Sequence, residues 1–298
     1  MHKDYIHTIK QKYPSLREKD VKVYNDRWDY IVYVIADKEA FRFPRRDDYA
    51  KTLPREVAFL DVFSPRSPVQ VPKLTLSHLP DSKPYVTYTF IPGVQFTDVV
   101  SETFSQQELN QVAHELGSFL TALHSFPKDK AKEMGIGELQ VYQSWSERLD
   151  KIKTTVFPHI SFPEQQWITQ LFTNFLDGVK NNPPQNCVTH ADMMPEHIIV
   201  DPDVHRLNGI IDFGDMVITD PAYDFTYFRR FGQDFLHAVY QNYKIERDIT
   251  FDKRRQFYEE RLLATNLEHS LNVQHKKRIE LHKEQLTAHV SGNKYTSR

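Results

Sequence analysis

Between Val188 and Phe225 the chain sets out side chains in an order that suits one kind of chemistry. His190 stands two residues before Asp192, His197 follows five residues after that aspartate, and Asp212-Phe213-Gly214 closes a second apolar run. A carboxylate able to take the proton of a hydroxyl, followed by two groups able to face a divalent cation, is what moving a phosphoryl group from a nucleoside triphosphate to an alcohol requires. The short motifs are each common. Their order and spacing carry the reading.

The surrounding residues predict how these groups are brought together. His197-Ile198-Ile199-Val200 and Leu207 to Ile211 are short β-branched runs with Asp201-Pro202-Asp203 between them. That pattern predicts a hairpin whose ends place Asp192 and His197 near Asp212. The arrangement follows the kinase pattern H-x-D-x-x-x-x-N followed by D-F-G, with His197 at the Asn position.

Upstream, Val21–Tyr24, Tyr30–Ile35 and Ala40–Pro44 read as neighbouring strands, and a helix is expected from about Asp47 to Phe63. Strands over Lys73–Leu76 and Tyr85–Phe90 follow. Arg42 interrupts an apolar strand and Glu56 an apolar helix face. In kinases a strand lysine pairs a helix glutamate and touches phosphate, and Arg42 takes the lysine's place. An arginine on the sheet edge, beside Arg45 and Arg46, is the competing reading.

No glycine precedes Gly93, so a glycine-rich phosphate loop is absent, and the turn after the first strand, with Asn25 and Arg27, is the candidate in its stead. Tyr88, Thr89 and Phe90, in the linker before Ile91-Pro92-Gly93, are candidates for contacting a purine edge. Beyond Gln95 the chain reads as helical. Ser105 to Glu108 forms a capping box ahead of Leu109, Val112, Leu116, Phe119 and Leu123 at helical spacing. Helices are also expected over 145–156, 164–179, 227–243, 251–271 and 274–290. The fold class is α+β with two lobes. Residues 1–92 form a small antiparallel-sheet lobe with one helix for nucleotide binding, and 93–298 a large, mainly helical lobe for catalysis and acceptor binding.

Composition bounds the alternatives. With 298 residues, 40% hydrophobic and 26% charged, the chain is that of an ordinary globular protein. A formal charge of −2 gives no reason to expect a nucleic-acid partner. The single cysteine, Cys187, excludes an internal disulfide and reads as a buried structural thiol. The amino-terminal stretch lacks an apolar core of signal-peptide length and no long apolar run suggests a membrane partner, so the expected location is the cytoplasm.

With these residues assembled, the chain resembles the aminoglycoside and macrolide phosphotransferase family, antibiotic kinases on a protein-kinase-like fold, from about Val21 to about Leu286. Arg42-Phe43-Pro44-Arg45-Arg46, Ala122-Leu123-His124-Ser125-Phe126-Pro127, Asp224-Phe225 and Phe231-Gly232 look most like the macrolide 2′-phosphotransferases. Ile211-Asp212-Phe213-Gly214-Asp215 looks more like the aminoglycoside 2″-phosphotransferases. The resemblance implies Asp192 as catalytic base, His197 and Asp212 facing Mg²⁺, Arg42 on phosphate with Glu56 as its partner, and His190 and Asp224 bracing the catalytic loop. It implies ATP or GTP as donor, the hinge deciding neither, and a small-molecule acceptor. From Phe225 on, fourteen Lys and Arg stand against nine Asp and Glu, which mildly disfavours a polycationic acceptor. Tyr223, Phe225, Tyr227, Phe228, Phe231 and Phe235 could line an apolar acceptor pocket or be core. A pseudokinase-like binding protein and a kinase of a metabolic amino alcohol or sugar are the other readings.

Overall fold

A computed structural model describes residues 2–25 and 29–292. Packing divides the chain into two compact units. The first gathers the chain up to Gly137 with Val188–Ile218 and Tyr227–Ile245, and the second holds Glu138–Cys187, Thr219–Thr226 and the chain from Glu246 on. The boundary expected at 92/93 falls inside the first unit.

The first unit is built on a five-stranded antiparallel sheet: β1 (Val21–Tyr24), β2 (Tyr30–Ile35), β3 (Glu39–Pro44), β4 (Thr75–His78) and β5 (Pro84–Thr89), in the order β1-β2-β3-β5-β4. Strand alternation gives the sheet two uses. Ile31, Tyr33, Ile35, Phe41, Phe43 and Tyr85 share one face, covered by Tyr5 and Ile9 of helix α1 (His2–Lys12), with Tyr5 stacked on Phe43 at 4.2 Å. Arg42 lies on the opposite face and pairs in register with Val32 and Val86. β4 begins two residues later than expected, leaving Lys73 and Leu74 as extended chain ahead of it.

Helix α2 spans Asp47–Phe63, as its pattern predicts: Leu53, Glu56, Phe59, Leu60 and Phe63 are buried, and Asp47 and Asp48 sit in the first turn, where the helix dipole favours negative charge. Past the linker, β6 (Val94–Gln95) pairs with β8 (Ile198–Asp201), which forms the predicted hairpin with β9 (Arg206–Ile210). β7 (Cys187–Thr189) and β10 (Val217–Thr219) flank this hairpin in sequence, and Thr189 Oγ1 donates to Val217 O at 2.8 Å. Cys187 is a buried free thiol.

The short helix α3 (Asp98–Ser101) leads to α4 (Gln106–His124), which opens on the Ser105/Glu108 capping box, and α5 (Lys128–Glu133) follows. α4 packs on α8 (Gln233–Asn242) closely enough that a Cβ at Gly117 would lie 2.6 Å from Val239 O. The single helix expected over 227–243 is instead a 3-10 turn, Phe228–Phe231, and α8, broken at Gly232, whose φ of 106° no ordinary helix tolerates.

The second unit is helical: α6 (Val141–Thr155), α7 (Phe162–Asn181), a 3-10 turn Pro221–Phe225, α9 (Phe251–Glu260), α10 (Leu262–Asn272) and α11 (Lys276–Val290). The helix expected over 251–271 is divided at Arg261. Phe175 stacks on Phe257 at 3.7 Å, with Trp145 edge-on to the same ring at 5.3 Å. Buried Asp220 accepts from Arg254 Nε at 2.7 Å and from Tyr258 Oη at 2.9 Å, tying the 3-10 turn to α9. Phe225, Phe228 and Phe235 are buried to 1% exposure or less, so these members of the aromatic group serve as core of their units. No helix among the described residues is long and apolar enough to cross a membrane.

Candidate active site

The site residues are arranged around Asp212, at the end of β9. Asp212 Oδ1 lies 3.8 Å from Arg42 Nη1, and its Oδ2 lies 3.4 Å from His197 Nε2. On its other side His197 Nδ1 lies 3.3 Å from Asp192 Oδ2. Arg42, Asp212, His197 and Asp192 thus form one continuous run of polar groups within the first unit.

Arg42 is not a surface-edge residue. It is 6% exposed, bonded through Nη2 to Glu56 of α2, and its guanidinium lies over the Tyr30 ring at 4.4 Å. Burial works against both charges. Arg42 has no accessible neutral form, and Glu56, Tyr30 and Asp212 more than offset the burial, so it holds its proton above the ordinary range. Burial pushes the Glu56 carboxyl up from its ordinary value while Arg42 restrains the rise. We take the pair as ionised, because a neutral acid would leave the guanidinium buried without a counter-charge. Tyr30, which sequence reasoning passed over, is pushed up to about 12 by burial and serves as a neutral platform. The signal was its place on β2 opposite Pro44, on the same face as Arg42.

The loop carrying Asp192 is held by backbone atoms. The His190 ring, fully buried, accepts from Asp192 N at Nδ1, 3.3 Å away, so Nε2 carries the proton and donates to Ile211 O at 3.0 Å. One imidazole therefore joins the loop to the residue before Asp212. His197 Nδ1 donates to Asp192 O at 2.8 Å, and its Nε2 is the nitrogen facing Asp212. Ala191 and Asp212 both have left-handed backbone, φ 63° and 70°. Two non-glycine residues in this region at one site mark a loop whose surroundings over-determine it. Phe213 is fully buried and lies 4.7 Å from the His190 ring, locking the turn after Asp212.

A cavity of about 640 Å³ opens on this run. Val32, Val34, Leu74, Ile91, Ile199 and Ile211 give it apolar walls, and Arg42 and Asp212 stand among its lining. An apolar slot that ends in a guanidinium suits a flat ring with an anionic tail. Tyr88 and Phe90 line it, whereas Thr89, between them on the strand, is exposed and does not. Burial pushes Tyr88 up to about 12. Phe90 N is already bonded to Lys38 O at 2.9 Å. Asn25 is exposed, and its backbone and side-chain oxygens both accept from Arg45 Nη2, at 2.6 and 2.7 Å. Arg27 lies outside the described residues. Asp224 is 1% exposed within the second unit.

A family model described as the phosphotransferase enzyme family matches residues 20–264. The chain belongs to that family. Among solved structures, this phosphotransferase is similar to the GDP and kanamycin complex of APH(2″)-IIIa, with a TM-score of 0.88 and 20% identity over 97% of this chain and 99% of that one. It is also similar to the apoenzyme of the macrolide 2′-phosphotransferase MphH from Brachybacterium faecium, at 0.75 and 18% over 99% and 100%. A third likeness is to the streptomycin–ATP–APH(2″)-IIa ternary complex, at 0.73 and 17% over 95% of each chain. At these identities the likeness is one of fold: a kinase-like fold with an antiparallel sheet towards the amino terminus and a helical remainder.

The site offers few side chains to a metal. Asp212 offers one partly exposed carboxylate and His197 one imidazole nitrogen. Among the described residues there is no group of three or more His, Cys, Asp or Glu set to hold a metal ion. Mg²⁺ takes about six oxygen ligands and commonly uses one or two carboxylates with waters and phosphates. The donor set fits Mg²⁺ that arrives with a polyphosphate, not a resident metal in a protein cage.

Proposed function

We propose that this phosphotransferase transfers the γ-phosphoryl group of ATP or GTP to a hydroxyl of an antibiotic, a macrolide or an aminoglycoside. The observation that carries the reading is the run from Arg42 through Asp212 and His197 to Asp192 at the end of an apolar cavity. Support for the donor and the acceptor comes from the structural relatives, whose complexes hold GDP with kanamycin or ATP with streptomycin, or which are macrolide 2′-phosphotransferases.

In this reading residues 1–92 form the nucleotide-binding lobe and 93–298 the catalytic and acceptor-binding lobe. The cavity takes the base between Val32, Leu74 and Ile199, with Tyr88 and Phe90 at its edge, and Asn25 and Arg27 would serve as phosphate contacts. Arg42, oriented by Glu56, meets the phosphate charge. Asp212 would hold Mg²⁺ with His197 beside it, and the ion would neutralise charge on the transferring phosphate when bound. Asp192 accepts the hydroxyl proton as the acceptor oxygen bonds to the γ-phosphorus and the bond to the β,γ-bridging oxygen breaks. His190 fixes the Asp192 backbone, and Asp224 would serve to brace the catalytic loop. In this reading the reaction runs in the cytoplasm on a small-molecule partner.

The test incubates the protein with ATP or GTP, Mg²⁺ and a panel of macrolides and aminoglycosides, and reads acceptor mass. A gain of one phosphate that requires Asp192 supports the proposal. Nucleotide binding with no transfer to any acceptor would leave a binding module in place of an enzyme, and transfer only to amino alcohols or sugars would move the substrate class.

A further inference from the structure

The turn that follows Asp212 is held from a distance by Arg55, a half-buried residue of α2. Its Nη2 donates to Gly214 O at 2.8 Å, across 159 residues of chain. A bond from a guanidinium to a carbonyl is charge-assisted, and so among the stronger ones a backbone can receive. The lining of the cavity does not include Arg55, nor does that of a smaller pocket of about 150 Å³ beside Asp212, Gly214 and Asp215. The partner of Arg55 is the turn and not a ligand.

Helix α2 is patterned to follow this turn. Arg55, Phe59 and Phe63 recur every four residues and so share one stripe of the helix. Phe63 lies 6.4 Å from the Phe213 ring, so the helix meets Phe213 with a ring and Gly214 with a guanidinium. The neighbouring Glu56 pairs with Arg42 of β3, and the Phe213 backbone adds to what keeps that carboxylate charged. One helix thus ties Arg42 and the Asp212 turn together. The turn needs such support, because Asp212 has left-handed backbone at φ 70°, a conformation that persists where its surroundings over-determine it. Gly214 is folded back so far that a Cβ added to it would lie 3.8 Å from Asp212 Oδ1. A shift of the Gly214 carbonyl is therefore a shift of the frame around the Asp212 carboxylate.

We propose that Arg55 is a positioning residue that, through Gly214, holds the Asp212 carboxylate where it meets Mg²⁺ on the bound nucleotide. The proposal rests on the reading of Asp212 as a metal-facing group. Partners one step removed from a metal ligand commonly set roughly 10- to 100-fold in metal affinity.

Calorimetric titration of the full chain with ATP or GTP, in Mg²⁺ and again in EDTA, measures how much nucleotide affinity the metal adds. Arg55→Ala is expected to cut that gain about tenfold and to leave the affinity in EDTA unchanged. Arg55→Gln, shorter and uncharged, should behave like alanine and carries the comparison if the alanine variant does not melt cooperatively, and Arg55→Lys should return part of the gain. A merely structural Arg55 would lower the melting temperature with the gain intact, and a direct phosphate contact would weaken binding equally with and without Mg²⁺. Either result overturns the role of Arg55 while leaving Asp212 a metal-facing group. A wild type that binds nucleotide equally in Mg²⁺ and in EDTA, or not at all, removes both readings together.

Discussion

Asp192 can act on a hydroxyl only if its carboxylate is held still, and the holding is done by two imidazoles gripping backbone. Replacing the carboxylate would remove the proposed proton acceptor and leave that frame in place. Asp192→Asn is expected to lower phosphate transfer by about 10²- to 10⁴-fold, read as acceptor mass gain, with the melting temperature little changed. Ala191 sits beside it with φ 63°. A left-handed alanine costs about 1–2 kcal/mol, and glycine returns roughly 0.5–1 kcal/mol of that as entropy lost on folding. Ala191→Gly should therefore stabilise the chain slightly in urea titration, and a clear loss of stability would show that the Cβ is packing. The Arg42–Glu56 pair behaves oppositely. Both residues are almost fully buried, so Glu56→Ala strands a guanidinium and is expected to cost about 3–5 kcal/mol of unfolding free energy.

Among the elements, the β6–β8–β9 sheet depends on a close approach that only glycine permits. A Cβ on Gly93 would run into Val200 O and lie 2.8 Å from Ile199 Cγ2, and φ at this residue is 128°. Gly93→Ala should lower the melting temperature and weaken ligand binding together, because Ile199 is also a cavity wall. The start of α4 carries a pH dependence. Hydrogen bonds from Ser105 and then His205 hold the Glu108 carboxyl down to about 2 from 4.5. A lowered folded value means the contribution is full above 4.5 and is lost as pH falls toward about 2. Glu108→Gln should flatten the loss of stability in that window, measured as the urea midpoint against pH.

What could be foreseen of these elements followed from periodicity. α2 ran from Asp47 to Phe63 as its apolar spacing required, and the hairpin around Asp201-Pro202-Asp203 closed as its turn residues required. The stretch 227–243 misled because Phe228, Phe231 and Phe235 keep helical spacing across a glycine whose backbone is not helical. The left-handed Ala191 and Asp212 were invisible for a different reason. Each is fixed by atoms far away in sequence, and no local pattern records them.

At the scale of the whole molecule, a kinase-like fold persists over 97% of the chain at 20% identity. A ligand that binds only the folded chain adds its binding free energy to stability. Mg²⁺ with ATP or GTP at a hundredfold excess over Kd should add about 2.7 kcal/mol, seen as a higher melting temperature that EDTA largely reverses. A shift untouched by EDTA would argue that Asp212 does not meet the metal.

Helix α1 carries none of the site residues, yet Tyr5 and Ile9 are all but buried against the outer face of the sheet. A protein trimmed back to the first strand would lay bare Phe43, Phe41, Tyr33 and Tyr85 side by side. Such a contiguous aromatic patch is an aggregation surface. Poor solubility of a shortened version would then reflect an uncovered sheet and not a damaged site, and a surface-level remedy, polar replacement at Tyr33 and Phe43, should recover soluble protein.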